Sequence, residues 1–259
     1  MIIIRRLSLV YCLALTLLSN ADSLADQTAY IAIIIDDMGH NVTRGRRAIN
    51  LPGSITYAFL PYTQHSESLS EAAYSSRKEV IIHLPMSNLT NHPIGPDGLT
   101  DSLSESEFRA TIARAIKQVP HAKGINNHTG SYLTQKPKQM KWLMDDLKQR
   151  DLFFIDSRTT AKSVARKIAW ENNILTASRD VFLDNDRSTE EIDKAFQQLV
   201  KIAKRRGTAI GIGHPYRTTL DYLESAIPKL GSGIQIISVS NLIALQQLRG
   251  RQIAAFGAE

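Results

Sequence analysis

Three histidines and four aspartates stand at the ends of apolar runs in this chain. Asp36 and Asp37 follow Ile31-Ala32-Ile33-Ile34-Ile35, and His83 follows Val80-Ile81-Ile82. His128 closes Lys123–Asn127, Asp156 follows Leu152–Ile155, Asp184 follows Val181–Leu183, and His214 follows Thr208–Gly213. Imidazoles and carboxylates together form a ligand set for a divalent cation. Two imidazoles and one carboxylate leave positions open for water and substrate, as in a catalytic zinc site. Such an ion brings the pKa of bound water toward ~7 and polarises a carbonyl. A second carboxylate beside it can serve as general base, and a histidine across the site can protonate a leaving group. The adjacent pair Asp36-Asp37 suits that division of labour. On a turning backbone its two side chains can take different directions.

The elements that must position these groups are read from the same runs. An unbroken apolar run bounded by a turn signal fits a strand buried on both faces of a parallel sheet. Strands are expected at 31–35, 54–60, 79–85, 123–128, 152–156, 174–177 with 181–184, 208–213 and 234–239. Helices are expected between them at 43–49, 64–76, from Ser104 to Pro120, from Pro137 through Leu147, through Val164 and Ile168, from Ser188 to Gly207, at 220–227, and after Ser240. Ser104-x-x-Glu107 and Ser188-x-x-Glu191 read as capping boxes, and Gly207 as a helix C′ residue. Met140, Leu143, Met144 and Leu147 form a core stripe. Residues 88–100, rich in Asn, Pro and Gly, read as a long loop over the rim. Strand and helix alternate seven or eight times with short connections. That predicts a single α/β domain, a distorted (β/α) barrel of seven or eight mostly parallel strands over residues 26–259. Closing the sheet would bring the polar strand ends onto one rim.

Composition is that of an ordinary globular chain: 259 residues, 43% apolar, 22% charged, net charge +6. The densest basic cluster, Lys201, Lys204, Arg205 and Arg206, sits at a helix C-terminus, where the macrodipole favours cations, so no nucleic-acid partner is expected. Residues 1–25 read as a signal peptide. Arg5 and Arg6 precede the apolar segment 7–18, and Ser23-Leu24-Ala25 offers a cleavage site. The segment is shorter than the ~20 residues a transmembrane helix needs. The single cysteine, Cys12, lies within it, so the mature chain has no thiolate ligand or disulfide to offer, and a periplasmic location is expected.

Each candidate also has a plainer reading. Asp36 or Asp37 can cap a helix, His83 and His128 can be satisfied buried histidines, and His214-Pro215 can be a turn. Asp156 and Asp184 can start βα loops. Taken together, however, the segments resemble a family. Ile35-Asp36-Asp37-Met38-Gly39 is similar to the first motif of polysaccharide deacetylases. Ile82–Met86, Asn126–Ser131, Phe154–Arg158 and Ile212–Pro215 resemble the divergent polysaccharide deacetylase family over about residues 30–245. The resemblance implies a distorted barrel and metal-dependent removal of N- or O-acetyl groups from glycans. Carried over, it makes Asp36 the general base, Asp37 a metal ligand and His214 the general acid. The usual pair of metal-binding histidines four residues apart is missing, because Ser87 and Tyr132 stand at that spacing from His83 and His128. His83 and His128, from two strands, are expected to replace the pair. Asn127 is a candidate for substrate binding, and Asp156 and Arg158 for orienting the acid or base. The expectation is an exported, metal-dependent hydrolase, most simply a zinc enzyme, acting on an acetylated glycan. The alternative is a noncatalytic glycan- or partner-binding envelope protein that keeps the barrel, as the missing histidine pair would allow.

Overall fold

A computed structural model describes residues 28–256. The expected signal segment, with Cys12, lies outside the described residues. Parallel strands are β1 (Ala29–Met38), β2 (Thr56–Phe59), β3 (Glu79–Met86), β4 (Gly124–Thr129), β5 (Phe153–Asp156), β6 (Thr176–Ser178), β7 (Val181–Phe182), β8 (Thr208–Gly213) and β9 (Ile234–Ile236). Helices are α1 (Val42–Ile49), α2 (Ser66–Ser75), α3 (Glu105–Gln118), α4 (Pro137–Gln149), α5 (Ala165–Glu171), α6 (Thr189–Arg206), α7 (Arg217–Ala226) and α8 (Val239–Phe256). No helix among the described residues is long and apolar enough to cross a membrane.

The strand order is β6-β5-β4-β3-β2-β1-β8-β7, with β9 on the lower half of β1. β6 and β7 stand at opposite ends of this order, yet only Arg179 and Asp180 separate them in the chain. One short segment therefore pairs first with β5 (Phe154 with Thr176) and then with β8 (Val181 with Gly211). The sheet must curl until its two ends meet there, and this gives the expected distorted barrel.

Strand periodicity sorts side chains into two cores. Ala32, Ile34, Ala58, Ile81, Phe153, Ile155, Ala177, Ile210 and Ile212 fill the barrel, plugged from below by Val239, Leu242 and Ile243 of α8. Ile31, Ile33, Ile35, Tyr57, Phe59, Ile82 and Leu84 face outward under the helices. Continuing the inward parity, Asp36 follows Ile34, His83 follows Ile81, and His214 follows Ile212 and Ile210. Asn126 and His128 share one parity on β4.

Of the two expected capping boxes only the first closes: at α6 the Ser188 Oγ accepts from Glu191 N, but the Ser188 N–H donates to Asp186 Oδ1 and the Glu191 carboxylate pairs with Lys194. Ser104 and Glu107 form a reciprocal capping box. Gly207 ends α6 at φ 80°. The last helix is a correction. It starts at Val239, so Ser240 lies inside its first turn, and Ser238 supplies the cap oxygen to the Asn241 N–H. The strand expected to reach 239 stops at Ile236. Beneath the barrel Glu79 ties this helix start to the sheet: Oε1 accepts from Thr56 Oγ1 (3.0 Å) and Ser240 N (3.2 Å), and Oε2 accepts from Ser240 Oγ.

Candidate metal centre

At the C-terminal rim the β1 backbone does what two adjacent carboxylates require. Its register against β2 shifts between Ile35 and Met38, and Asp37 takes a left-handed φ of 53°. Aspartate tolerates this region better than most residues. The irregularity turns Asp37 toward the same centre that Asp36 reaches by strand parity. Gly39 follows at φ 119°, where a Cβ would stand 2.0 Å from Thr63 Oγ1, so only glycine fits the turn.

Three ligand-type atoms converge. His83 Nε2 lies 3.4 Å from Asp37 Oδ1, His128 Nδ1 lies 3.2 Å from the same oxygen, and the two nitrogens are 3.0 Å apart. Ligands about 2.0–2.1 Å from a tetrahedral ion stand roughly 3.3 Å from one another. Asp37 Oδ1 is buried and makes no well-directed hydrogen bond. A buried carboxylate oxygen without a donor, facing two imidazole nitrogens at these separations, fits a cation. Asp37, His83 and His128 are therefore a set that could hold a metal.

The two histidines expected to stand in for the missing pair do lie together in space. His83 comes from the middle of β3, not its end, and His128 from the neighbouring strand. Their rings meet edge to face, 4.8 Å apart.

Asn126, which sequence reasoning passed over, orders this set. It is fully buried; its Nδ2 donates to Asp36 Oδ1 (2.8 Å) and its Oδ1 accepts from His83 Nδ1 (2.8 Å). The proton on His83 is thereby placed on Nδ1, leaving the Nε2 lone pair to face Asp37 and His128. The signal was available: Asn126 shares strand parity with His128, whereas Asn127 does not.

The two carboxylates are pushed apart electrostatically. Burial raises the Asp36 pKa above the usual carboxylate value, against the opposing pull of His83, His214 and Asn126. Burial would also raise Asp37, but the His128 and His83 rings overcome it and hold this carboxylate far below the usual range. One carboxylate is held toward its ionised form and its neighbour takes a proton more readily, a split of the kind that suits two different tasks in acid–base chemistry.

His214 faces the centre from β8, with Nε2 3.9 Å from Asp37 Oδ2. Its Nδ1 donates to Asp184 Oδ1 at 2.8 Å. Asp184, buried, also accepts from the His214 backbone N–H (2.7 Å) and Thr219 Oγ1 (2.8 Å). Burial opposes a charged ring, yet the Asp184 bond and the surrounding carboxylates raise the His214 pKa to about 9. Asp184 was visible as a strand-end acid, but nothing in the spacing linked residue 184 to residue 214.

Three other sequence candidates lie outside this cluster. Asn127 points away from the barrel interior: its Oδ1 accepts from Ser157 N (2.9 Å) and its Nδ2 donates to Thr129 O (2.7 Å), lacing two rim loops together. Asp156 has the outward parity of Phe154, and its oxygens accept from Arg158 N (2.8 Å) and Ser163 Oγ (2.8 Å), which organises the following loop. The Arg158 side chain is exposed, and the residue enters the structure through its backbone at φ 52°. The basic side chain that lies over this region is the half-buried Arg179, which donates to Ser157 O (2.7 Å) and Arg158 O (2.8 Å).

The chain also matches known proteins in sequence and in fold. The chain is 33% identical to the uncharacterized protein YibQ of Escherichia coli K12 over 213 residues, 82% of this chain and 67% of that protein. It is 33% identical over 212 residues to an uncharacterized protein of Haemophilus influenzae, covering 82% and 76% of the two chains. The crystal structure of the uncharacterized protein ATU2773 from Agrobacterium tumefaciens C58 has the same fold, with a TM-score of 0.80 at 23% identity over 84% of this chain and 90% of that one. The sequence profile described as divergent polysaccharide deacetylase matches residues 33–243, so this chain belongs to the divergent polysaccharide deacetylase family.

Proposed function

We propose that this protein is an exported, metal-dependent carbohydrate deacetylase that removes acetyl groups from a glycan of the bacterial periplasm. The observation that carries the reading is the buried, unpartnered Asp37 Oδ1 facing His83 Nε2 and His128 Nδ1. Asp37, His83 and His128 would hold a divalent cation, most simply zinc given two imidazoles and a carboxylate. When bound, such an ion supplies Lewis acidity, polarising a carbonyl and acidifying water.

The chain's own groups supply the proton transfers. Asp36, with its raised pKa, accepts the proton of the attacking water. Asn126 holds the Asp36 carboxylate through one oxygen and leaves the other, 3.6 Å from His83 Nε2, facing the reaction centre. His214, held by Asp184 with Nε2 toward the centre, donates a proton to the departing sugar amine or hydroxyl. The water oxygen bonds to the acetyl carbon, the C–N or C–O bond to the sugar breaks, and acetic acid leaves and ionises to acetate in solvent. Asp36 then gives up the one proton it took and His214 regains the one it gave, so the side chains return to their starting states with no net proton change.

The noncatalytic alternative rests on the missing histidine pair; the closeness of His83 Nε2 and His128 Nδ1, 3.0 Å, supports the catalytic reading over it. Export rests on the signal-like character of residues 1–25. The test is metal content of the signal-free protein together with acetate release from a panel of acetylated envelope glycans. The expected result is about one divalent ion per chain and acetate release that chelation stops. Protein that binds no metal, or metal-loaded protein that releases no acetate from any of the panel, would sink the reading.

A further inference from the structure

The site opens on one side into a cleft of about 130 Å³ between the β1–α1 and β8–α7 turns. Its walls include Asp37, His40 and Arg44 on one side and Pro215 and Tyr216 on the other. Asp37, the one acid among the lining residues, is turned to His83 and His128. The remaining charge is basic. Arg44 is exposed and, among the described residues, has no carboxylate within ion-pair distance. One turn further along, Arg47 does pair, with Asp221 (2.5 Å) and Glu224 (2.7 Å), and Arg217 reaches Asp221 at 3.7 Å. Local acids are thus used up on the outer arginines, while the arginine on the cleft wall is left without one.

A second cation meets the opposite wall. The Arg187 guanidinium lies 3.7 Å from the ring centre of Tyr216, and it too has no ion-pair partner among the described residues. Tyr216 in turn stacks on His214, with ring centres 5.3 Å apart. His214, Tyr216 and Arg187 therefore form a series leading outward from the centre. The loop between β3 and α3 is built differently. There Asp97 is paired to Arg114 (2.9 Å), and Asp101 accepts from Tyr132 (2.7 Å) and stands 4.0 Å from Lys136. The charges of that loop are paired within the protein, and Arg44 and Arg187 are not, among the described residues.

We propose that the glycan substrate carries an anionic group, a carboxylate or phosphate, on the sugar that holds the acetyl group or on its neighbour, and that Arg44 and Arg187 receive it. The inference rests on the deacetylase reading, because the position of His214 sets the direction. The sugar leaves toward the group that protonates it, and beyond His214 lie Tyr216, Arg187 and the cleft. An aromatic face suits a sugar ring, and guanidinium forks suit carboxylate or phosphate oxygens.

The test uses one acidic acetylated oligosaccharide in two forms, with carboxylates free and with the same carboxylates methyl-esterified, on the metal-loaded protein. The free acid is expected to show kcat/KM about tenfold or more above the ester, carried mainly by KM and weakened by salt. In the double variant Arg44→Ala/Arg187→Ala the acid-to-ester ratio should fall toward one. Equal turnover of acid and ester by the unaltered protein, or a preference that survives the double variant, would overturn the proposal while leaving the deacetylase reading intact. Calorimetric binding of the two forms reads the same preference without turnover, and equal affinity there overturns it as well. A phosphorylated acetylated glycan in a parallel arm separates the two anions: stronger preference for it than for the carboxylate assigns the cleft to phosphate.

Discussion

The two ends of this barrel bury carboxylates in opposite ways. At the lower end, both oxygens of Glu79 have donors, from Thr56, the Ser240 hydroxyl and the Ser240 backbone N–H. The acid sits at the start of α8, where a helix favours negative charge. At the upper end, Asp37 Oδ1 is equally shielded from solvent, yet no donor is aimed at it. Native proteins satisfy nearly all their buried polar atoms. A fully partnered buried acid is explained by the fold. An unpartnered one, facing two imidazole nitrogens, is a position that could receive a cation.

The comparison breaks most sharply at Asp37. Asp37→Ala is expected to lower metal affinity by at least about 100-fold and abolish acetate release while thermal unfolding stays cooperative. Metal analysis and a melting curve on the same preparation check this, and full metal occupancy in the variant would remove Asp37 from the ligand set. Asp36→Asn should keep its metal but slow acetate release by about 10³-fold, within the range for loss of a general base. Steady-state kinetics on metal-replete variant would show it.

The lower end should respond in the reverse sense. Glu79→Ala leaves Thr56 and the α8 N–H groups without their acceptor and is expected to cost about 2–4 kcal/mol in chemical denaturation, with metal stoichiometry unchanged. A variant that lost metal and stability together would erase the contrast between the two ends. Asn126→Ala sharpens it from within the site. It frees the His83 tautomer without removing a ligand, so metal affinity should fall by about 10–100-fold, as measured by competition with a chelator. Unchanged affinity would show that the neighbouring strands alone orient the ring.

How much of the site was legible in one dimension depends on what each residue needed. Asp36, Asp37, His83, His128 and His214 announced themselves as polar residues at or near the ends of apolar runs. All five meet at one rim, as closure of a parallel sheet demands. Asn127 and Asp156 carried the same signal and went elsewhere. Strand parity, which turns alternate side chains to opposite faces, sends them toward the helices, where they lace loops. Parity also brings Asn126 inward, so the better asparagine was the neighbour of the one chosen. Asp184 stood at a strand end as well, but its tie to His214 spans 30 residues and follows from the adjacency of β7 and β8 alone.

The sequence by itself determined the alternation of strand and helix, the parallel sheet, most element boundaries and the chemical types at the rim. These follow from hydrophobic period, capping residues and turn residues, which act over a few positions. Tertiary structure decided which of those groups touch. The left-handed turn at Asp37 aims two adjacent acids at one point. The register of β3 against β4 sets two histidines 3.0 Å apart in place of a pair four residues apart on one segment. The passage of a single segment from β5 to β8 closes the ring. Each of these is a distance between residues remote in sequence, fixed by strand pairing and sheet curvature, and no local pattern along the chain encodes it.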